Sequence, residues 1–197
     1  LVLQYDAVTG TFSLLIRRYG RVTKFLHWAI FVLILNQFVV AAMMFNTPSG
    51  ETTAGFTQGA LYEWHKSAGL IALAVAVVRY IWRKTTVLPD WAPHLSGGER
   101  RAIHLVERTL YLCMFMMPIS GFLFVMTGDF GVSFFNRWDL PNVVGVNPTA
   151  AFITRWTHAA TAALLTVALL GHWGIAFRHQ RIHRDRYVHR MLPFTHQ

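Results

Sequence analysis

Histidine is the residue type to follow in this chain. The segment 158–172, HAATAALLTVALLGH, begins and ends with it and holds nothing more polar than threonine between. On a helix the fourteen-residue separation brings the second side chain back to within about 40° of the first, roughly 21 Å further along the axis. His158 and His172 therefore face one way at opposite ends of an apolar segment. Two more histidines stand in similar settings, His27 in KFLHWAI and His65 in YEWHKSAG. Imidazole binds metals and relays protons, and inside apolar segments it marks such chemistry.

The elements that must position these residues are membrane spans. The chain has 197 residues, 54% of them hydrophobic and only 14% charged, too apolar for an ordinary soluble domain. Runs long enough to cross a bilayer core fall at approximately 25–45, 62–83, 105–127 and 152–177. None shows the alternation of a membrane β-barrel strand, so the fold class expected is an all-α membrane protein, a four-helix bundle. Residues 1–16 read as a cytoplasmic extension lying outside that bundle, 84–104 as a polar loop with SGGERR supplying turn residues, and 128–151 as a second loop rich in Gly, Asn and Pro. The bundle domain is expected over 17–193, with 194–197 as a tail. The single cysteine, Cys113, excludes a disulfide within the chain, a cysteine-based zinc site and a CxxCH haem attachment.

Basic residues orient the bundle. Fourteen of eighteen fall on one side: Arg17, Arg18, Arg21 and Lys24 before the first span; Arg83, Lys84, Arg100, Arg101 and Arg108 around the second loop; Arg178, Arg181, Arg184, Arg186 and Arg190 in the tail. Lys66, Arg137 and Arg155 are on the other side, and Arg79 lies within the second span. Both termini are thus expected in the cytoplasm. This topology accounts for the net charge of +9 without a nucleic-acid partner.

With the spans placed, depth pairs the histidines. His27 and His172 share the inner level, His65 and His158 the outer. Facing imidazoles in a bundle interior can hold a haem iron from both sides. Small residues for a flat macrocycle stand nearby: Gly69, Ala159, Ala160, Gly171 and Gly174. Arg79, Arg21, Lys24 and Arg178 are candidate partners for inner haem propionates, with Lys66 and Arg155 available at the outer level. His104, at the start of the third span, is a candidate quinone or propionate contact. The same histidines also suit a proton or ion pathway, and a metal transporter is a third reading, although the acidic Glu63 and Glu107 sit at span boundaries. Arg79 has an alternative as a snorkelling side chain. The Met run CMFMMP reads as packing or lipid-facing, and Pro118 as a kink near Gly121. His94, His104, His179, His183, His189 and His196 read as loop or interface residues.

The stretches RRYGRVTKFLHW, WHKSAGLIALAVAVVRYIWRK, IHLVERTLYLCMFMMPISG, THAATAALLTVALLGHW and HRMLP, spread over about 17–193, resemble the successive helix signatures of the prokaryotic cytochrome b561 family. The resemblance implies a bacterial inner-membrane protein with two non-covalent b-type haems, ligand roles for His27, His65, His158 and His172, and electron exchange with the quinone pool, ubiquinone in particular. Some members are similar to superoxide oxidase. Glu107 and Arg108 stand where some relatives carry neutral residues. Two axial histidines leave no open iron position, so outer-sphere electron transfer is the chemistry expected. Lys66, Arg137 and Arg155 are then the candidate entrance for an anionic outer donor such as superoxide. The competing reading is a cytochrome subunit that relays electrons for a partner protein, a separate dehydrogenase or hydrogenase.

Overall fold

A computed structural model describes residues 2–6, 11–15, 19–87, 96–183 and 191–192. Four long helices dominate it: α1 (Arg21–Asn46), α2 (Gln58–Thr85), α3 (Gly97–Thr127) and α4 (Pro148–Arg178). At 1.5 Å per residue the shortest, α1 with 26 residues, is about 39 Å long, enough to cross a hydrocarbon core of about 30 Å with its ends among the headgroups. All four are apolar enough to span a membrane. Four crossings return the chain to the side on which it started.

Three of the four helices begin where the sequence supplies a capping side chain; α1 starts after Gly20, which has none. Thr57 accepts from the Ala60 amide, and Asn147 from the Ala150 amide, with Pro148 at the first turn where its missing N–H costs nothing. At Ser96 the cap is reciprocal. The Ser96 hydroxyl accepts from the Glu99 amide and the Glu99 carboxylate accepts from the Ser96 amide at 3.0 Å. This corrects the expectation that SGGERR is a turn: α3 starts at Gly97, eight residues before the expected position, because the capping box offsets the flexibility of two glycines. Of the 84–104 loop, residues 88–95 lie outside the described residues.

The α1–α2 and α3–α4 connections, at the end opposite the termini, each contain a tight hairpin. Strands β3 (Thr52–Thr53) and β4 (Phe56–Thr57) turn through Ala54 and Gly55, both at positive φ as a two-residue hairpin of this hand requires. Strands β5 (Ser133–Phe134) and β6 (Trp138–Asp139) turn through Phe135 and Asn136, also at positive φ. Within the extension expected over 1–16, β1 (Val2–Asp6) pairs antiparallel with β2 (Thr11–Leu15). The described residues of the extension are therefore two paired strands, in keeping with their Val, Tyr, Phe and Thr content.

Large apolar side chains cover the outside of the bundle, among them Phe25, Val32, Phe45, Ile81, Leu112, Val167 and Trp173. In water that surface would aggregate; in lipid it is the matched one. Six of the buried apolar residues form two small clusters: Ile30, Ala76 and Met114 towards the terminal side, and Val40, Met44 and Leu61 towards the hairpin side. Helices α3 and α4 pack closely along their length, as do α1 and α2, and α2 packs on α3. By contrast α4 approaches α1 and α2 only sparsely. The seams left open are the ones across which the histidines face.

Candidate haem centres between the helices

The structure brings the four histidines together as two pairs. His27 from α1 and His172 from α4 have ring centroids 6.1 Å apart, and His65 from α2 and His158 from α4 have theirs 6.3 Å apart. The ring planes are tilted by 50° in the first pair and by 79° in the second. Two imidazoles on opposite sides of one metal, each bond about 2.0 Å and each ring centre about 1.1 Å beyond its nitrogen, have centroids about 6.2 Å apart. Both pairs match that span. Among the described residues no three or more His, Cys, Asp or Glu side chains gather as the ligands of a bare ion would. Two donors per site suit a metal whose remaining ligands come from a macrocycle, and both pairs lie across the sparsely packed α1–α4 and α2–α4 seams.

Local contacts prepare each ring. The His158 Nδ1–H donates to the Met117 carbonyl of α3 at 2.9 Å, leaving Nε2 with its lone pair. Gly121 makes this approach possible, since a Cβ at that position would lie 2.9 Å from His158 Cε1. His65 Nδ1 is buried without a hydrogen-bond partner. One turn on, Gly69 lets the Gln37 amide reach in and donate to the His65 carbonyl at 3.1 Å. At the other level, Arg79 Nη2 donates to His27 Nδ1 at 3.3 Å. Its guanidinium thus points into the bundle, against the snorkelling alternative. With Nε2 on a metal, Nδ1 would carry the proton, and Arg79 would have to turn to another acceptor.

The other candidate residues divide. Lys66 is only 12% exposed, is paired with Glu63, and donates to the Gly131 carbonyl at 3.0 Å. Glu63 also accepts from the Ser133 amide, so both residues fasten the segment leading into the β5–β6 hairpin to α2. Arg137 is exposed and lines a groove with Phe56, Ala60, Trp64, Phe135 and Asn136; Arg155 is exposed on α4. On the terminal side, Arg83 holds Glu107 at 2.8 Å, His104 lies 3.7 Å from the same carboxylate, and Arg178 holds Glu99 at 3.1 Å. Lys24 donates to the Leu192 carbonyl and Trp28 to that of Met191, both at 2.9 Å, so the ML of HRMLP folds back onto α1. Arg21 is exposed at the start of α1. Arg79, Arg83, Tyr111, Thr23, Leu26, Trp82 and Thr86 line a small cleft at this end.

His179 is a correction to the loop reading. It is 2% exposed, because the chain continues from α4 into a wider helical turn, His179–His183, instead of leaving as a loop. Arg17, Arg18, His94, Arg184, Arg186, His189, Arg190 and His196 lie outside the described residues. Gly121, Ser120, Gln37 and the Met117 carbonyl were not singled out as site residues. The available signal was a glycine three positions after Pro118 within an apolar span.

A family model described as prokaryotic cytochrome b561 matches residues 18–194. The chain belongs to the prokaryotic cytochrome b561 family. It is similar to cytochrome b561 homolog 2 of Escherichia coli strain K12, with 26% identity over 178 residues, 89% of this chain and 91% of that protein. This cytochrome b561 is accordingly a multi-pass bacterial membrane protein of electron transfer, in a family that carries b-type haem.

Proposed function

We propose that this cytochrome b561 binds two b-type haems, one between His27 and His172 and one between His65 and His158. The reading further holds that it passes single electrons between a small donor on the hairpin side and the quinone pool. The observation that carries this is the pair of imidazole pairs, each spaced for one axially ligated metal, at two levels of one bundle. Such haems supply reversible one-electron transfer without an open ligand position.

The chain's own residues do the rest. His158 is held by Met117, and His65 by the Gln37 bond to its backbone. Arg79 supplies a permanent positive charge inside the inner level, suited to a propionate carboxylate, with Lys24, Arg21 and Arg178 at the rim. His104 and Arg83 converge on Glu107 at the same end, where a quinone taking up protons would need polar groups. Both termini and this end face the cytoplasm, the side to which the basic loops point.

Superoxide is the outer donor proposed. Because Lys66 is already neutralised by Glu63, attraction of the anion falls to Arg137 and Arg155. Two superoxide anions would yield two dioxygen molecules and two electrons, and a ubiquinone accepting these with two protons becomes the quinol. Rapid mixing of the purified oxidised protein with superoxide, with and without ubiquinone, tests this. Fast haem reduction followed by quinone-dependent reoxidation is the expected result. A two-haem spectrum that superoxide leaves oxidised would move the electron source to a partner dehydrogenase or hydrogenase.

A further inference from the structure

The two rings of the outer pair are held differently, and the difference traces to one missing side chain. His158 lies against α3 with Nδ1 at 2.9 Å from the Met117 carbonyl, whereas His65 Nδ1 is buried with no partner. The Met117 carbonyl is reached across Gly121, one turn further along α3. A Cβ there would meet His158 Cε1 at 2.9 Å and Nδ1 at 3.0 Å, closer than real Cβ contacts allow. What it would strike is an aromatic ring lodged in the α3–α4 seam, with no flexible end to move aside. Ser120, 3% exposed, lines the same notch: its hydroxyl donates to the Met116 carbonyl at 2.5 Å, with the Met117 carbonyl at 3.1 Å and His158 Nδ1 at 3.4 Å.

We infer that Gly121 is a positioning residue: the notch it leaves in α3 lets the Met117 carbonyl fix the tautomer and rotation of His158, making it the more electron-rich donor of the outer pair. This rests on the proposed role of His158 as an axial ligand. An N–H donating to a carbonyl gives its ring more anionic character, and a more basic axial ligand stabilises the oxidised iron. Gly121 thereby holds the outer haem at a lower potential than the same ligands would give without this bond.

Gly121→Ala tests the inference, with Gly59→Ala as a control because a Cβ at Gly59 meets nothing within 4 Å. The readouts are haem content by pyridine haemochrome, potentiometric titration of the haem band, and thermal unfolding in detergent. Gly121→Ala is expected either to keep two haems with one midpoint moved to higher potential, or to lose one haem of two; Gly59→Ala should match the parent. The ring contact has its own readout. Gly121→Ala should lower Tm by about 5 °C or more, and the double variant Gly121→Ala with His158→Ala should recover most of the part of that loss due to the clash. Two haems with unchanged midpoints in Gly121→Ala would overturn the inference. So would a Tm loss that is the same whether or not His158 is present. Colourless parent protein would refute the haem reading instead, and the thermal comparison would still decide whether Gly121 accommodates the ring.

Discussion

Ser67→Ala is the substitution whose effect can be worked furthest from the structure. Ser67 is fully buried two residues after His65. Its hydroxyl donates to the Glu63 carbonyl at 2.7 Å and accepts from the Phe135 amide at 2.8 Å. That amide lies in the turn between β5 and β6, where Phe135 adopts positive φ (48°) at a cost only tertiary contacts can offset. Alanine fills nearly the same volume but leaves the Phe135 N–H without its acceptor, a loss of about 2 kcal/mol. For a chain of this size that lowers Tm by about 4–8 °C. If the loss falls on local opening of the turn, its open fraction rises about 30-fold at roughly 1.4 kcal/mol per decade. Hydrogen exchange at the Phe135 amide should accelerate by about that factor, while amides in the middle of α3 keep their rates. Because the turn packs on Trp64, the residue before His65, small reductants should also reach the haem proposed between His65 and His158 faster. An unchanged exchange rate at Phe135, or acceleration spread evenly over the bundle, would refute the reasoning.

Three further outcomes are expected. Arg137→Glu should slow haem reduction by superoxide severalfold, with the difference shrinking as salt is added, whereas Lys66→Met should mainly lower thermal stability because Lys66 fastens the hairpin; equal kinetic effects would count against the separation. Glu99→Ala removes the reciprocal cap of α3 and its pairing with Arg178, and should cost about 1 kcal/mol, seen as a fall in Tm of about 2–4 °C with both haems retained. Ring planes at 79° in one pair and 50° in the other should give two distinct low-spin EPR signals, the more anisotropic one lost in His158→Ala. Near-perpendicular imidazoles leave the iron π orbitals close in energy, so one shared signal would contradict those geometries.

The parts of the molecule that could be read from the sequence are those in which chemistry and period coincide. Fourteen residues between His158 and His172 set their common face and depth difference without any tertiary information, and the apolar runs around His27 and His65 set theirs. Family membership and the four-helix bundle followed from the same segments. The start of α3 was misplaced because two glycines before Glu99 have the composition of a turn, although Ser96 and Glu99 also form the S-x-x-E spacing of a capping box. Lys66 and Glu63, three apart on α2, were legible as neighbours; the Gly131 carbonyl that completes the Lys66 site was not, because it comes from a loop 65 residues away. Likewise Gly121 meets His158 across 37 positions, and a notch for a ring cannot be told from a packing glycine until α3 and α4 are docked. The inward turn of His179 depends on the wider helical turn that follows α4, for which local sequence carries no plain signal.

The central claim is that the four histidines form two independent ligand pairs, and haem content in double variants tests it most directly. Purified His27→Ala with His172→Ala, and His65→Ala with His158→Ala, should each retain one haem per chain. His27→Ala with His158→Ala, which breaks both pairs, should retain none. If the cross-pair variant keeps as much haem as the within-pair variants, or if a within-pair variant loses both haems while remaining folded, the assignment of one haem to each pair is wrong.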